Sequence, residues 1–252
     1  MVGSISFYNS VDADNIIDFE TQEKSVEPMR VSSFYLGRMP EERYPIFKTE
    51  FERSLSQAER VAPSGITKIL LMDGARGFWN YADQNPLYND YIKIVDFYHS
   101  AEHLSRLAEA LFGKSSKEGQ VWFEKWLSKL KHEVGGATAL LRSAQRYRKD
   151  RKLSSSRIEA FETEITFFRR NKERMQYSTM VEQGLPIGSG PVEAACKMIV
   201  KARFCQSGMR WSLQGGQNVM NLRVIQKSDQ WDDTWHSYQN AGGYHTHIGK
   251  AA

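Results

Sequence analysis

The chain has 252 residues, of which 40% are hydrophobic, 12% aromatic and 25% charged, an ordinary globular composition that excludes collagen-like, coiled-coil and disordered classes. Lys plus Arg number 34 against 30 Asp plus Glu, a net charge of +4 too small by itself to name a partner. No apolar run approaches the roughly 18 residues of a membrane span, the N-terminus carries no export signal, and Cys196 and Cys205 cannot build a disulfide framework, so a soluble cytoplasmic protein without a membrane partner is expected.

The length allows one large domain or two small ones. Residues 4–8 and 30–36 are rich in β-branched and aromatic side chains and predict an antiparallel pair joined by a long polar connection. Residues 41–62 set Phe47, Phe51, Leu55 and Ala58 at helical spacing, with Pro63 and Gly65 as the stop. A short buried strand over 67–72 runs into Asp73-Gly74, and a second over 92–97 follows Asn85-Pro86. Strands separated by a helix predict a mixed α/β sheet. From residue 99 to about 183 the pattern is helical only, with helices over 101–112, around Val121 to Leu130, over 137–147 and over 158–168. Loop 184–191 ends this block. Pro191, suited to a first helical position, opens a helix to about Arg203, and a last helix covers 213–226 before a tail that frays from Gly242.

Charge is unevenly spread. Residues 165–227 hold ten cations (Arg169, Arg170, Lys172, Arg174, Lys197, Lys201, Arg203, Arg210, Arg223 and Lys227) against three anions (Glu173, Glu182 and Glu193). That stretch is +7 and the remainder −3. A concentrated positive face suits a phosphate backbone, whose neutralisation releases counterions; a solvated basic surface has the same composition.

Four places carry chemistry. Asp73 closes an apolar strand and precedes a glycine, where α/β sheets set their ligands, although turn and helix-cap aspartates also stand there. Asp96 and His99 form Asp-x-x-His at the next strand end, where Asp96 can cap the following helix. His99-Ser-Ala-Glu102-His103 matches the pattern of inverted zinc peptidases, with two imidazoles on one helical face and Glu102 as base, but no third ligand is evident downstream. Glu193 lies in the first turn of the helix opened by Pro191, where the helix dipole favours a carboxylate suited to Mg²⁺; with Gly190 as cap it also fits a capping box. Lys197 and Lys201 follow it at i+4 and i+8, for ion pairing or for DNA. The cysteines read as small buried hydrophobes, and Trp211, Trp231 and Trp235 as packing residues.

In order, Tyr35-Leu-Gly-Arg-Met-Pro-Glu41, Met72-Asp73-Gly-Ala, Asp96-Phe-Tyr-His-Ser-Ala-Glu-His-Leu104, Leu185-Pro-Ile-Gly-Ser-Gly-Pro-Val-Glu-Ala-Ala-Cys-Lys197 and Ser207-Gly-Met-Arg-Trp211 resemble the transposases of ISKra-type insertion sequences, DDE enzymes related to the Mutator group. The resemblance spans nearly the whole chain. It implies an α/β, ribonuclease-H-like mixed sheet, N-terminally incomplete, with an all-α insertion ahead of the helix that carries the last acid. The expected parts are core residues 1–98, insertion 99–183, closing helices 184–235 and a flexible tail 236–252.

The same resemblance implies two Mg²⁺ (or Mn²⁺) ions held by three carboxylates for phosphoryl transfer on double-stranded DNA, at transposon terminal inverted repeats and target, by a homo-oligomer in the nucleoid-containing prokaryotic cytoplasm. Asp73 matches the second acid and metal ligand, Glu193 the last, and Asp96 and His99 the intervening Asp-x-x-His element, with His99 near the scissile phosphate. Arg170, Arg174, Lys197, Lys201, Arg203 and Arg210 are the expected DNA contacts. The first acid is not assigned: Asp12, Asp14 and Asp18 lie in a polar connection rather than on a strand. The chain is therefore expected to be a catalytic-domain fragment, inactive alone; a non-catalytic DNA-binding relic and a zinc hydrolase using His99, Glu102 and His103 are the alternatives.

Overall fold

The computed structural model describes residues 1–9 and 28–241. Asp12, Asp14, Asp18 and the tail from Gly242 lie outside them. The protein is mixed α/β and 63% helical, and it divides into two compact units. One comprises Met1–Asn9, Arg30–Ser64 and the chain from Gly190 onward; the other holds Gly65–Ser189.

In the first unit, β1 (Val2–Tyr8) pairs antiparallel with β2 (Arg30–Gly37), from Val2 opposite Gly37 to Tyr8 opposite Arg30. Cross-strand contacts fix the register: the Ser6 and Ser33 hydroxyls lie 2.7 Å apart and Phe7 meets Phe34 edge to face. The chain then turns through Arg43 and Tyr44, both at positive φ (56° and 53°), into α1 (Pro45–Val61). Tyr44 offers no side-chain cap; Glu41 takes over, its carboxylate accepting from the N–H groups of Ile46 (3.3 Å) and Phe47 (2.7 Å). Residue 3 is glycine because Phe47 and Phe51 rings stand 3.0 to 3.2 Å from where a Cβ would sit.

After Gly190 come α8 (Gly190–Ala195), a π-helical stretch over Cys196–Lys201, α9 (Ala202–Phe204), α10 (Leu213–Lys227) and α11 (Trp231–Asn240). In this unit Tyr35, Ala195, Ile199 and Met220 form a buried cluster flanked by Val2, Met39, Val200, Phe204 and Val224, and Phe47 and Leu55 of α1 are buried as well.

In the second unit, β3 (Ile69–Met72) pairs in parallel with β4 (Ile92–Val95), the crossover being α2 (Arg76–Gln84) and a short 3₁₀ turn. Five helices follow: α3 (Phe97–Phe112), α4 (Lys117–His132), α5 (Gly136–Lys149), α6 (Ser155–Asn171) and α7 (Tyr177–Glu182). Ser116 caps α4 by accepting from the Gly119 N–H. Leu104, Leu107, Leu111, Leu140, Ile165, Phe168 and Tyr177 are fully buried among these helices, together with Ile94 and Val95 of β4. The Tyr177 hydroxyl donates to the Val95 carbonyl and pairs with Ser100, and burial pushes its ionisation far up.

The predicted strands and helices are found; among the described residues the strands form a two-stranded sheet in each unit, and the helical block 99–183 shares a unit with β3 and β4. Residues 236–240, expected in the tail, continue α11. Cys205, Trp211, Trp231 and Trp235, read as buried or packing residues, are exposed.

Candidate functional site

In the second unit the C-terminal ends of β3 and β4 bring Asp73 and Asp96 to neighbouring positions, since Met72 pairs with Val95. Asp73 is exposed. Its Oδ1 accepts from the Ala75 N–H at 2.9 Å, and its carbonyl from the Trp79 indole N–H at 2.7 Å. It is thus a turn aspartate that keeps its carboxylate at the surface. Gly74 is required here, because a Cβ would lie 2.1 Å from Cε2 of Phe167.

Asp96 is the opposite kind of acid. It is 2% exposed, and both oxygens are taken: Oδ1 accepts from the His99 N–H at 2.7 Å, capping α3, and Oδ2 from the Ser189 N–H at 2.5 Å. The Phe97 N–H donates to the Ile187 carbonyl, and a Cβ on Gly188 would meet Tyr98 at 2.5 Å. The helix start and loop 185–189 are therefore clamped together, four residues before Glu193 along the chain.

His99 is one-third exposed, with Nδ1 3.7 Å from Glu102. One turn on, the His103 ring stands at 4.9 Å and nearly perpendicular to it. His103 Nδ1 lies 2.5 Å from Glu164 Oε2, and Arg106 Nε donates to Glu164 Oε1 at 3.1 Å. The other face of this cluster is Phe167, stacked on His103 at 3.5 Å and 14°. Burial pushes the Glu164 carboxyl up, but the hydrogen bond and charge of His103 and the Arg106 guanidinium outweigh it and hold it below the ordinary carboxylate range.

In the first unit, Glu193 is exposed in the first turn of α8. The π-helical stretch that follows leaves the Met198 carbonyl to Arg223, which donates to it from Nε at 3.0 Å and again from Nη2. Arg223 is thus a structural cation that satisfies helix backbone.

The basic stretch 165–227 is shared between the units. Lys197, Lys201, Arg203 and Arg210 are exposed in the first, and none makes an ion pair among the described residues. In the second, Arg170 is exposed, whereas Arg174 is held: it pairs with Asp83 at 2.5 Å and lies over the Trp79 ring at 4.5 Å. Lys93 binds the same Asp83 at 3.1 Å. Asp83, Lys93, Arg170, Glu173 and Arg174 line an open groove of about 470 Å³ beside β4.

The oxygen donors Asp73 and Glu193 have the chemistry for Mg²⁺, but among the described residues no group of three or more His, Cys, Asp or Glu could hold a metal ion. Asp73 and Glu193 belong to different units. The zinc pattern gains no third ligand either, and His103 spends Nδ1 on Glu164. No family model, curated protein or solved structure matches the chain. Residues that sequence reasoning missed are Glu164, Phe167 and Ser189. Only Glu164 left a local signal: it interrupts the buried stripe Phe161, Ile165 and Phe168 of α6, and an acid on an apolar stripe calls for a partner.

Proposed function

We propose that the chain binds double-stranded DNA as a DDE-type transposase of the ISKra kind, with a ribonuclease-H-like core. The observation that carries this reading is the pair of adjacent parallel strand ends, one presenting the exposed Asp73 and the other opening α3 with Asp96 and His99. Ligands of α/β sheets bind at such carboxyl ends. In this reading His99 donates to a phosphate oxygen, buried Asp96 sets its backbone, and Glu193 matches the last acid of the family's motif. Lys197, Lys201, Arg203 and Arg210 contact DNA phosphates, with Arg170 as a further contact. Arg174, engaged by Asp83 and Trp79, shapes the surface instead.

The test is binding of the purified chain to a labelled terminal-inverted-repeat duplex over a salt series. Affinity should fall steeply with salt, and Lys197→Ala with Lys201→Ala should lower the slope of log affinity against log salt by about 2. Absence of binding at low salt removes the reading. Mg²⁺-dependent nicking of the duplex that is abolished by Glu193→Gln would add strand cleavage to the reading.

A further inference from the structure

One buried acid near the strand ends has no part in the function proposed above. Glu164 is 6% exposed, projects from the middle of α6, and binds His103 and Arg106 of α3. A carboxylate at a core position is a poor way to gain stability, since its desolvation offsets most of the attraction to its partners and an apolar residue of similar volume often does better. What such a group supplies is a fixed geometry for whatever it binds.

Here the fixed geometry leads outward. Glu164 Oε2 holds Nδ1 of His103 at 2.5 Å. The His103 ring lies face to face with Phe167, centroids 3.5 Å and planes 14° apart. Phe167 occupies the space beside Gly74, where a Cβ would fall 2.1 Å from its ring, and Gly74 directly follows Asp73. The His99 ring meets both His103 (4.9 Å) and Phe167 (5.9 Å) at steep angles. The links are the Glu164 carboxylate, the His103 and Phe167 rings and the Gly74 backbone, so a rotated His103 would displace Phe167, and a displaced Phe167 would free the Asp73-Gly74 turn and the wall against His99.

We propose that Glu164 is a positioning residue for Asp73 and His99, acting through His103 and Phe167. The inference rests on the reading of Asp73 and His99 as site residues, and Glu164 itself touches neither a substrate nor those two side chains. Its charge also gathers the cations of this corner, with Arg106 shared between Glu164 at 3.1 Å and Glu102 at 3.8 Å.

The experiment uses the full isotopically labelled chain and the near-isosteric Glu164→Gln, with Phe167→Leu as the reference for a lost ring. Thermal melting reports the fold; the Gly74 Hα resonance, shifted by the ring current of Phe167, and the His99 ring protons report position. The expected result is a folded Glu164→Gln chain in which Gly74 moves toward its position in Phe167→Leu and His99 moves with it. A folded Glu164→Gln chain with Gly74 and His99 at their wild-type positions overturns the proposal. Should Glu164→Gln fail to fold, His103→Gln, which keeps a donor for Glu164 but removes the stacked face, replaces it, and an unmoved Gly74 there overturns the proposal equally. A DNA duplex titrated into the wild-type chain separates the two levels: if His99 does not respond to DNA, the functional reading of that residue fails, while the Gly74 resonance still decides whether Glu164 positions the turn.

Discussion

The unit containing β3, β4 and the helices α3 to α7 buries an extended set of large side chains, with Leu104, Leu107, Leu111, Leu140, Ile165 and Phe168 at 0% exposure. The unit containing β1, β2, α1 and the helices after Gly190 buries fewer apolar side chains, among them Tyr35, Phe47, Leu55, Ile199 and Met220, and leaves Leu213, Leu222, Trp231, Trp235 and Tyr238 exposed. The difference separates two ways of holding chemistry. In the first, candidate residues stand on a packed scaffold whose every buried polar group has a partner: Asp96, Ser100, Glu164 and Tyr177 are all hydrogen-bonded. In the second, Glu193, Lys197, Lys201 and Arg203 are carried on the exposed side of one helical run whose buried side is little more than Ala195 and Ile199. Rigidity is built where Asp73 and His99 sit, and charge is displayed where Glu193 sits.

The largest effect should come from the packed unit. Phe168→Ala removes a fully buried ring against helices that cannot close over the void, and is expected to cost about 3 to 5 kcal/mol, read from denaturant unfolding and from loss of amide protection in α3 and α6. A cost under about 1 kcal/mol would mean that this unit is as loosely packed as the other.

Next is the clamp on loop 185–189. Asp96→Asn keeps an acceptor for the His99 N–H but turns the second oxygen into an NH₂ group facing the Ser189 N–H. Losing a buried hydrogen bond to a charged acceptor should cost about 2 to 3 kcal/mol. The loss should appear as fast exchange of the Ser189 amide while the α3 amides remain protected. Equal loss of protection in both places would show that Asp96 matters as a helix cap rather than as a loop clamp.

The buried ion cluster predicts a smaller, pH-dependent effect with a definite sign. Because Glu164 is held below the ordinary carboxylate range in the folded chain, the unfolded chain binds its proton first as the pH falls. The contribution of Glu164 is fully present above the unfolded Glu value and is lost as the pH drops through the folded value. Glu164→Gln should therefore flatten the acid limb of the stability profile below about pH 4.5, the ordinary Glu value. An unchanged acid limb would assign acid sensitivity to the other carboxylates.

Much of this was readable from local pattern. The spacing of Leu104, Leu107 and Leu111, or of Trp122, Trp126 and Leu130, specifies helices through contacts within a few residues. Asp96 and Ser116 sit where caps are expected, and the alternation of residues 2–8 and 30–37 specifies their pairing. The strand ends that present Asp73 and His99 were visible for the same reason. What stayed hidden depends on partners far along the chain. Glu164 meets His103 from 61 residues away, Arg174 meets Asp83 from 91, and Ser189 meets Asp96 from 93, and no local spacing encodes these meetings. The basic stretch 165–227 read as one face because charge was summed along the sequence; Arg174 and Arg223 are spent on Asp83 and on a π-helical carbonyl.

The smallest effect tests the exposed end of the comparison. Trp231, Trp235 and Tyr238 lie along one side of α11, and none of the ten residues of that helix is buried. Trp235 stacks on Tyr238 at 5.8 Å, a contact within its own helix that does not anchor it to a core. In the isolated chain Trp235→Ala should therefore change stability by less than about 0.5 kcal/mol, as for surface positions generally, against the 3 to 5 expected at Phe168 although both changes delete a large aromatic ring. The same pair of variants measured by unfolding at two protein concentrations sharpens the contrast. A Trp235→Ala cost that grows with concentration would mean that association covers this aromatic side, because binding that occurs only in the folded state adds to stability by mass action. A cost near zero at both concentrations leaves α11 as an exposed helix held by its own hydrogen bonds and its junction with α10.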